Sequence, residues 1–147
     1  MGTIMLDLEA IEYIQQLKAR YFRFLDTANY EGLETCFTAD ASAYFKGGNY
    51  EFTLNGWSEL EIFYRRSITE KKFGVHNGHH PEITVTGDYA TGIWYLTDTF
   101  INLKDNTTLR GTALYTDDYV RINDTAGLDL VEYIQIAAIP PQRYELV

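Results

Sequence analysis

Val75 to Phe100 read V-H-N-G-H-H-P-E-I-T-V-T-G-D-Y-A-T-G-I-W-Y-L-T-D-T-F. Gly87-Asp88 is a turn pair between two runs rich in β-branched and aromatic residues, so the stretch predicts a hairpin of two long strands. The chain's three histidines, His76, His79 and His80, all fall in the first run. The second run puts Ala90, Gly92, Trp94, Leu96 and Phe100 on one face, with Asp98 among them. A carboxylate on an apolar strand face is costly unless something partners it. The nearest partner near neutral pH is a histidine on the adjacent strand. The stretch therefore predicts a buried acid–base site in which a histidine pairs with Asp98.

Working outward, strands are predicted over 73–86, 89–103, 107–122 and 128–138, with turns at 104–106 and at Asn123-Asp124. Pro140-Pro141 stops the last of them. Upstream, Ile11, Ile14, Leu17, Tyr21 and Leu25 recur at helical spacing, which predicts one amphipathic helix over 7–27. Lys18, Arg20 and Arg23 fall mostly off that stripe. A short helix over 30–37 follows, then strands over 40–45 and 50–54 around a turn at 46–49. Ser58 with Glu61 reads as a capping box opening a third helix over 58–69. Helices followed by a long antiparallel meander indicate an α+β fold, a cone-shaped curved sheet closed by the N-terminal helices. No repeat or linker divides it, so residues 1–147 read as one domain.

Hydrophobic residues make up 46% of the 147, and aromatic residues 15% with 12 tyrosines, which suits a pocket of apolar walls and hydroxyl tips. The net charge of −9 repels phosphate backbones and speaks against nucleic acid as a partner. No run has the length of a membrane span, and no signal-peptide pattern is present, so a cytoplasmic protein is the expectation. Cys36 is the lone cysteine and forms no disulfide within the chain.

A zinc site needs three or four ligands in fixed geometry. Gly78 and Pro81 break the histidine run, and the expectation is that no metal is bound. Counting back from Ile83 and Val85, strict alternation turns His79 inward and His76 outward. A bulge at Gly78–Pro81 would reverse this, and periodicity leaves the two open. Tyr21 and Asp26 stand five residues apart, about 140° around a helix, so both cannot point straight into one pocket. Tyr21 lies on the apolar stripe, where its hydroxyl needs a partner. Of Asp117 and Asp118, one must face away from the other.

Several of these segments resemble a known group. R-Y-F-R-F-L-D (20–26), N-Y-E-G-L (29–33) and F-T-A-D-A (37–41) are similar to the opening of the SnoaL-like group. That group lies in the nuclear-transport-factor-two-like superfamily, with ketosteroid isomerase, scytalone dehydratase and polyketide cyclases. H-N-G-H-H-P-E-I-T (76–84), A-T-G-I-W-Y-L-T-D (90–98) and A-L-Y-T-D-D-Y (113–119) resemble bile acid 7-alpha-dehydratases more closely. The resemblance implies a cofactor-independent elimination of water from a steroid-like or polyketide-like hydroxy-ketone. It puts catalytic residues at Tyr21, Asp26, His76 and Asp98, and so favours His76 over His79. His76 would be the base, Asp98 its orienter, and Asp26 would orient Tyr21 or a water. Trp57, Tyr64, His79, Trp94, Tyr115 and Asp117 would contact a small hydrophobic or polycyclic ligand. A homodimer or homotrimer is implied. Two departures stand out: the dehydratases' last-strand arginine is absent from Ile136-Ala137-Ala138, with Arg143 coming only later, and Phe45 occupies the place of the isomerase's aspartate. A binding module without chemistry, or a cyclase or isomerase, is the alternative on this scaffold.

Overall fold

A computed structural model describes residues 5–47, 49–124, 131–139 and 144–146. The first element is α1 (Leu8–Asp26), capped by Asp7, whose side chain accepts from the Ala10 N–H. A short α2 (Tyr30–Glu34) follows, capped by Asn29. It ends sooner than expected, because Phe37 already starts β1 (Phe37–Lys46). β2 (Glu51–Asn55) pairs back on β1, and α3 (Gly56–Ser67) leads to the long strands. α3 has no side-chain capping bond from its N-cap, Asn55; the Asn55 N–H donates to Glu59 instead, one turn ahead of the predicted Ser58–Glu61 box. β3 (Lys72–Thr86), β4 (Tyr89–Asn102), β5 (Thr107–Asp124) and β6 (Val131–Ile139) form the antiparallel run. Asn123 and Asp124 continue β5 rather than turning, since both pair with β6. Pro140, Pro141 and Arg143 lie outside the described residues.

The sheet order is β2-β1-β6-β5-β4-β3, and β1 lies parallel to β6, so the sheet is not the pure meander expected. A last strand, β7 (Tyr144–Leu146), pairs with β5 at Gly111–Ala113 and was not legible as a strand. The fold is nevertheless the predicted α+β class, a curved sheet wrapped over α1. Ile14, Leu17, Tyr21 and Leu25 are buried between α1 and the sheet with Leu96, Tyr115 and Ile136. No helix among the described residues is long and apolar enough to cross a membrane.

The hairpin that opened the sequence analysis carries the decisive irregularity. His79 pairs with Tyr95 and Glu82 with Ile93, so β3 holds one residue more than β4 between them. His80 absorbs the kink at a φ of 52°. This bulge resets the alternation. Beyond it Ile83 and Val85 face inward; before it Gly74, His76 and Gly78 do. His79 is turned outward, stacked on the exposed Tyr95 and bonded to His80 at 3.0 Å.

Candidate functional site

His76 is held from two directions. Its backbone N–H donates to Asp26 Oδ2 at 3.1 Å, and its ring Nδ1 lies 2.5 Å from Asp26 Oδ1. The ring stacks on Phe22, 5.9 Å between centroids and 8° from parallel, with Phe100 edge-on at 5.5 Å. A Cβ on Gly78 would come 2.4 Å from the Phe22 ring, so glycine there lets Phe22 lie flat against the imidazole. A carboxylate can only accept, so Nδ1 carries a proton, and in the neutral ring Nε2 then keeps its lone pair. In its neutral form the imidazole is thus held in one tautomer, with Nε2 as its base nitrogen.

This corrects the expected pairing. Asp26, not Asp98, orients the histidine, because the end of α1 reaches the edge strand β3 and meets both donors of His76 at once. Asp26 is therefore not the partner of Tyr21. The 140° between them is realised by turning them toward two different spaces. Tyr21 lines an apolar cavity of about 480 Å³ together with Tyr64, His76, Asp98, Phe100 and Tyr115. Asp26 lines an outer cleft with Arg23, Thr27, Asn77 and His79, and His76 borders both spaces.

Within the cavity the Tyr21 and Tyr64 hydroxyls lie 3.1 Å apart. Burial pushes the Tyr21 phenol well above its usual value, and Tyr115 and Tyr64 add to the effect. Asp98 sits opposite His76 in register and opposite Gly111 on the other side. Gly111 leaves the room it needs, since a Cβ there would stand 2.5 Å from Asp98 Oδ1. Burial raises the Asp98 carboxyl above its usual range, while His76 and the Gly111 backbone oppose the rise.

The raised value has a sign that can be measured. Between the ordinary carboxylate value and the raised one, the folded state binds more protons than the unfolded chain. Stability therefore falls as pH rises through that window, and the contribution is fully present only below it. Asp98→Asn removes the ionisation and should flatten this fall. Thermal melts from pH 3 to pH 7 should show the variant gaining on the wild type as pH rises. A gap that stays constant across that range would contradict the assignment.

Four of the expected ligand contacts lie elsewhere. His79 is on the outer side of the bulge. Trp57 packs on Phe37 at 5.7 Å. Trp94 is buried, its Nε1–H donating to the Tyr119 hydroxyl at 3.1 Å. Asp117 is fully buried against Lys18, Nζ to Oδ2 at 2.6 Å. None of the four lines the cavity. The sequence reading missed Tyr50, Phe52, Phe63 and Ser67, which do line it. These come from the β1–β2 hairpin and α3, whose lean over the sheet has no periodic signature. Among the described residues, no group of three His, Cys, Asp or Glu could hold a metal ion.

The architecture has known counterparts. The chain is similar to a nuclear-transport-factor-two-like superfamily protein from Salmonella enterica serovar Typhimurium, with 17% identity over 96% of this chain and 93% of that one, at a TM-score of 0.75. It is similar to a candidate scytalone dehydratase from Novosphingobium aromaticivorans, with 14% identity over 96% and 86% of the two chains, at a TM-score of 0.73. It is also similar to a hexachlorocyclohexane dehydrochlorinase from Novosphingobium barchaimii, with 17% identity over 95% and 87%, at a TM-score of 0.71. At such identities the likeness speaks for the fold alone. The sequence goes further, because the family model described as a SnoaL-like domain matches residues 6–126, and the chain belongs to the SnoaL-like family.

Proposed function

We propose that this protein is a cofactor-independent hydro-lyase that removes water from a neutral, flat hydroxy-ketone of steroid-like or polyketide-like build. The observation that carries the reading is the His76–Asp26 pair at 2.5 Å, set at the wall of an apolar cavity that also holds Asp98 and Tyr21. Nε2 of His76 takes the proton from the carbon next to the carbonyl. The electron pair flows toward the carbonyl oxygen, and a tyrosine hydroxyl, that of Tyr21, stabilises the charge gathering there. The carbon–oxygen bond of the neighbouring hydroxyl then breaks. The imidazolium returns its proton to the departing hydroxide, so water leaves, a double bond remains and no electrons are exchanged with a third group. Asp26 holds the tautomer throughout, and Asp98 faces the imidazolium while it exists.

Two similar structures carry names of eliminations, a dehydratase and a dehydrochlorinase, and the motifs at 76–84 and 90–98 resemble bile acid 7-alpha-dehydratases. Elimination is favoured over isomerisation because Phe45, at the place of the isomerase's aspartate, is an apolar wall residue of the cavity.

The test is a panel of 3-oxo steroids and aromatic β-hydroxy-ketones added to ring-labelled protein. A substrate should move the His76 ring resonances and leave those of His80 in place. It should also be converted to a conjugated enone that absorbs in the ultraviolet. Histidine resonances that ignore every member of the panel, with no enone formed, would refute the reading.

A further inference from the structure

Beneath the cavity lies a second polar group that the elimination does not use. Lys18 is 1% exposed, with its ammonium 2.6 Å from Asp117 Oδ2. The same ammonium stands 4.0 Å from the Tyr115 ring centroid, 4.7 Å from that of Tyr21 and 5.1 Å from that of Phe22. Tyr21 and Tyr115 line the cavity, and Phe22 is the ring stacked on His76. The carboxylate end points away from these. Asp117 Oδ2 also accepts from the Tyr119 hydroxyl at 2.9 Å, and Tyr119 accepts from Trp94. The pair is thus an oriented dipole, positive toward the cavity floor and negative toward Tyr119. Burial and then Asp117 push the Tyr119 phenol up, and the Tyr21 phenol is raised by burial, Tyr115 and Tyr64.

A cation at the face of an aromatic ring draws on its electrons, and in a dry site the effect is strong. Drawing electrons from a phenol makes its O–H a better donor. We propose that Lys18, held by Asp117, is a positioning residue that charges the cavity floor, so that Tyr21 and Tyr115 favour a ligand oxygen carrying negative charge. This deepens the elimination reading and rests on it for the identity of that oxygen, the enolate oxygen formed when His76 takes its proton. Tyr21 and Phe22 flank Lys18 at i+3 and i+4 on α1, whereas Tyr115 comes from β5, so the ammonium lies near both tyrosines.

The probe is 4-nitrophenol, whose anion is coloured, so the ionisation midpoint of the bound molecule can be read by absorbance. Lys18→Met combined with Asp117→Asn removes both charges and keeps an acceptor for Tyr119. The double variant should bind neutral nitrophenol as wild type does but raise its bound midpoint by about one pH unit, a tenfold change in the ionisation equilibrium. Asp98, Asp26 and His76 also act on the probe, but they are common to both proteins and cancel in the comparison. Tyr115→Phe, which alters no charge, should raise the midpoint in the same direction. Equal midpoints in wild type and the double variant would overturn the proposal, as would a wild type that binds no nitrophenol. Failure of the elimination reading looks different: His76 then ignores every hydroxy-ketone while nitrophenol still ionises more readily over Lys18.

Discussion

Replacing Asp26 by Asn should lower kcat on the best hydroxy-ketone of the panel by about 10²–10⁴-fold, the range general acid–base catalysis supplies. KM should change little, because Asp26 lies outside the cavity. The reason is the tautomer. The carboxylate accepts from both the backbone N–H and the ring Nδ1 of His76. An asparagine can accept only through its one oxygen. If that oxygen keeps the backbone N–H, the amide N–H₂ faces Nδ1, which must then give up its proton and move it to Nε2. The base nitrogen would be blocked while the ring stays stacked on Phe22. Errors of this kind in a Ser-His-Asp triad cost about 10⁴. His76→Ala should be as severe, and the double variant hardly worse, because the two residues act as one unit. A kcat within a few-fold of wild type for Asp26→Asn, at unchanged Tm, would show that the pair serves structure and not turnover.

The sheet, the long helix and the four late strands were legible because hydrophobic periodicity announces them. What failed was local. The partner of His76 was sought on the neighbouring strand, where Asp98 does lie in register, yet the first claim on the ring belongs to Asp26, distant by 50 residues. No spacing rule reveals that a helix end will overhang a strand edge. The bulge at His80 could be suspected from Gly78 and Pro81 but not placed, so periodicity left His76 and His79 open and only the resemblance favoured His76 before the register was seen.

The buried Lys18–Asp117 pair was legible, but Lys18 was expected mostly off the apolar stripe and Asp117 against the ligand. Lys18 continues the stripe of Ile14, Tyr21 and Leu25 at spacings of four, three and four. Asp117 interrupts the inward face Ala113, Tyr115, Tyr119 in the way Asp98 interrupts that of β4. The rule that a charge on an apolar face must find a partner applies to both, and they find each other.

The same pair supplies the largest expected effect on stability. Lys18→Met alone should destabilise the fold by about 3–5 kcal/mol, the cost of stranding one charge of a buried pair. The methionine fills much of the space, so the loss is electrostatic rather than a cavity. Asp117 would keep only the Tyr119 hydroxyl, and its Oδ1 has no partner among the described residues even in the intact protein. Lys18's ammonium is itself held at a cost, since burial lowers its pKa against the pull of Asp117. Removing both charges should therefore recover most of what the single change loses. In Lys18→Met with Asp117→Asn, the amide oxygen still accepts from Tyr119, and the amide nitrogen takes the position that already lacked a partner. Urea unfolding of the two single variants and the double gives the coupling directly. Additive losses would mean that the two side chains do not depend on each other. A double variant close to wild type would mean that the pair contributes little net stability, which leaves the charge it sets under Tyr21 and Tyr115 as the reason for its geometry.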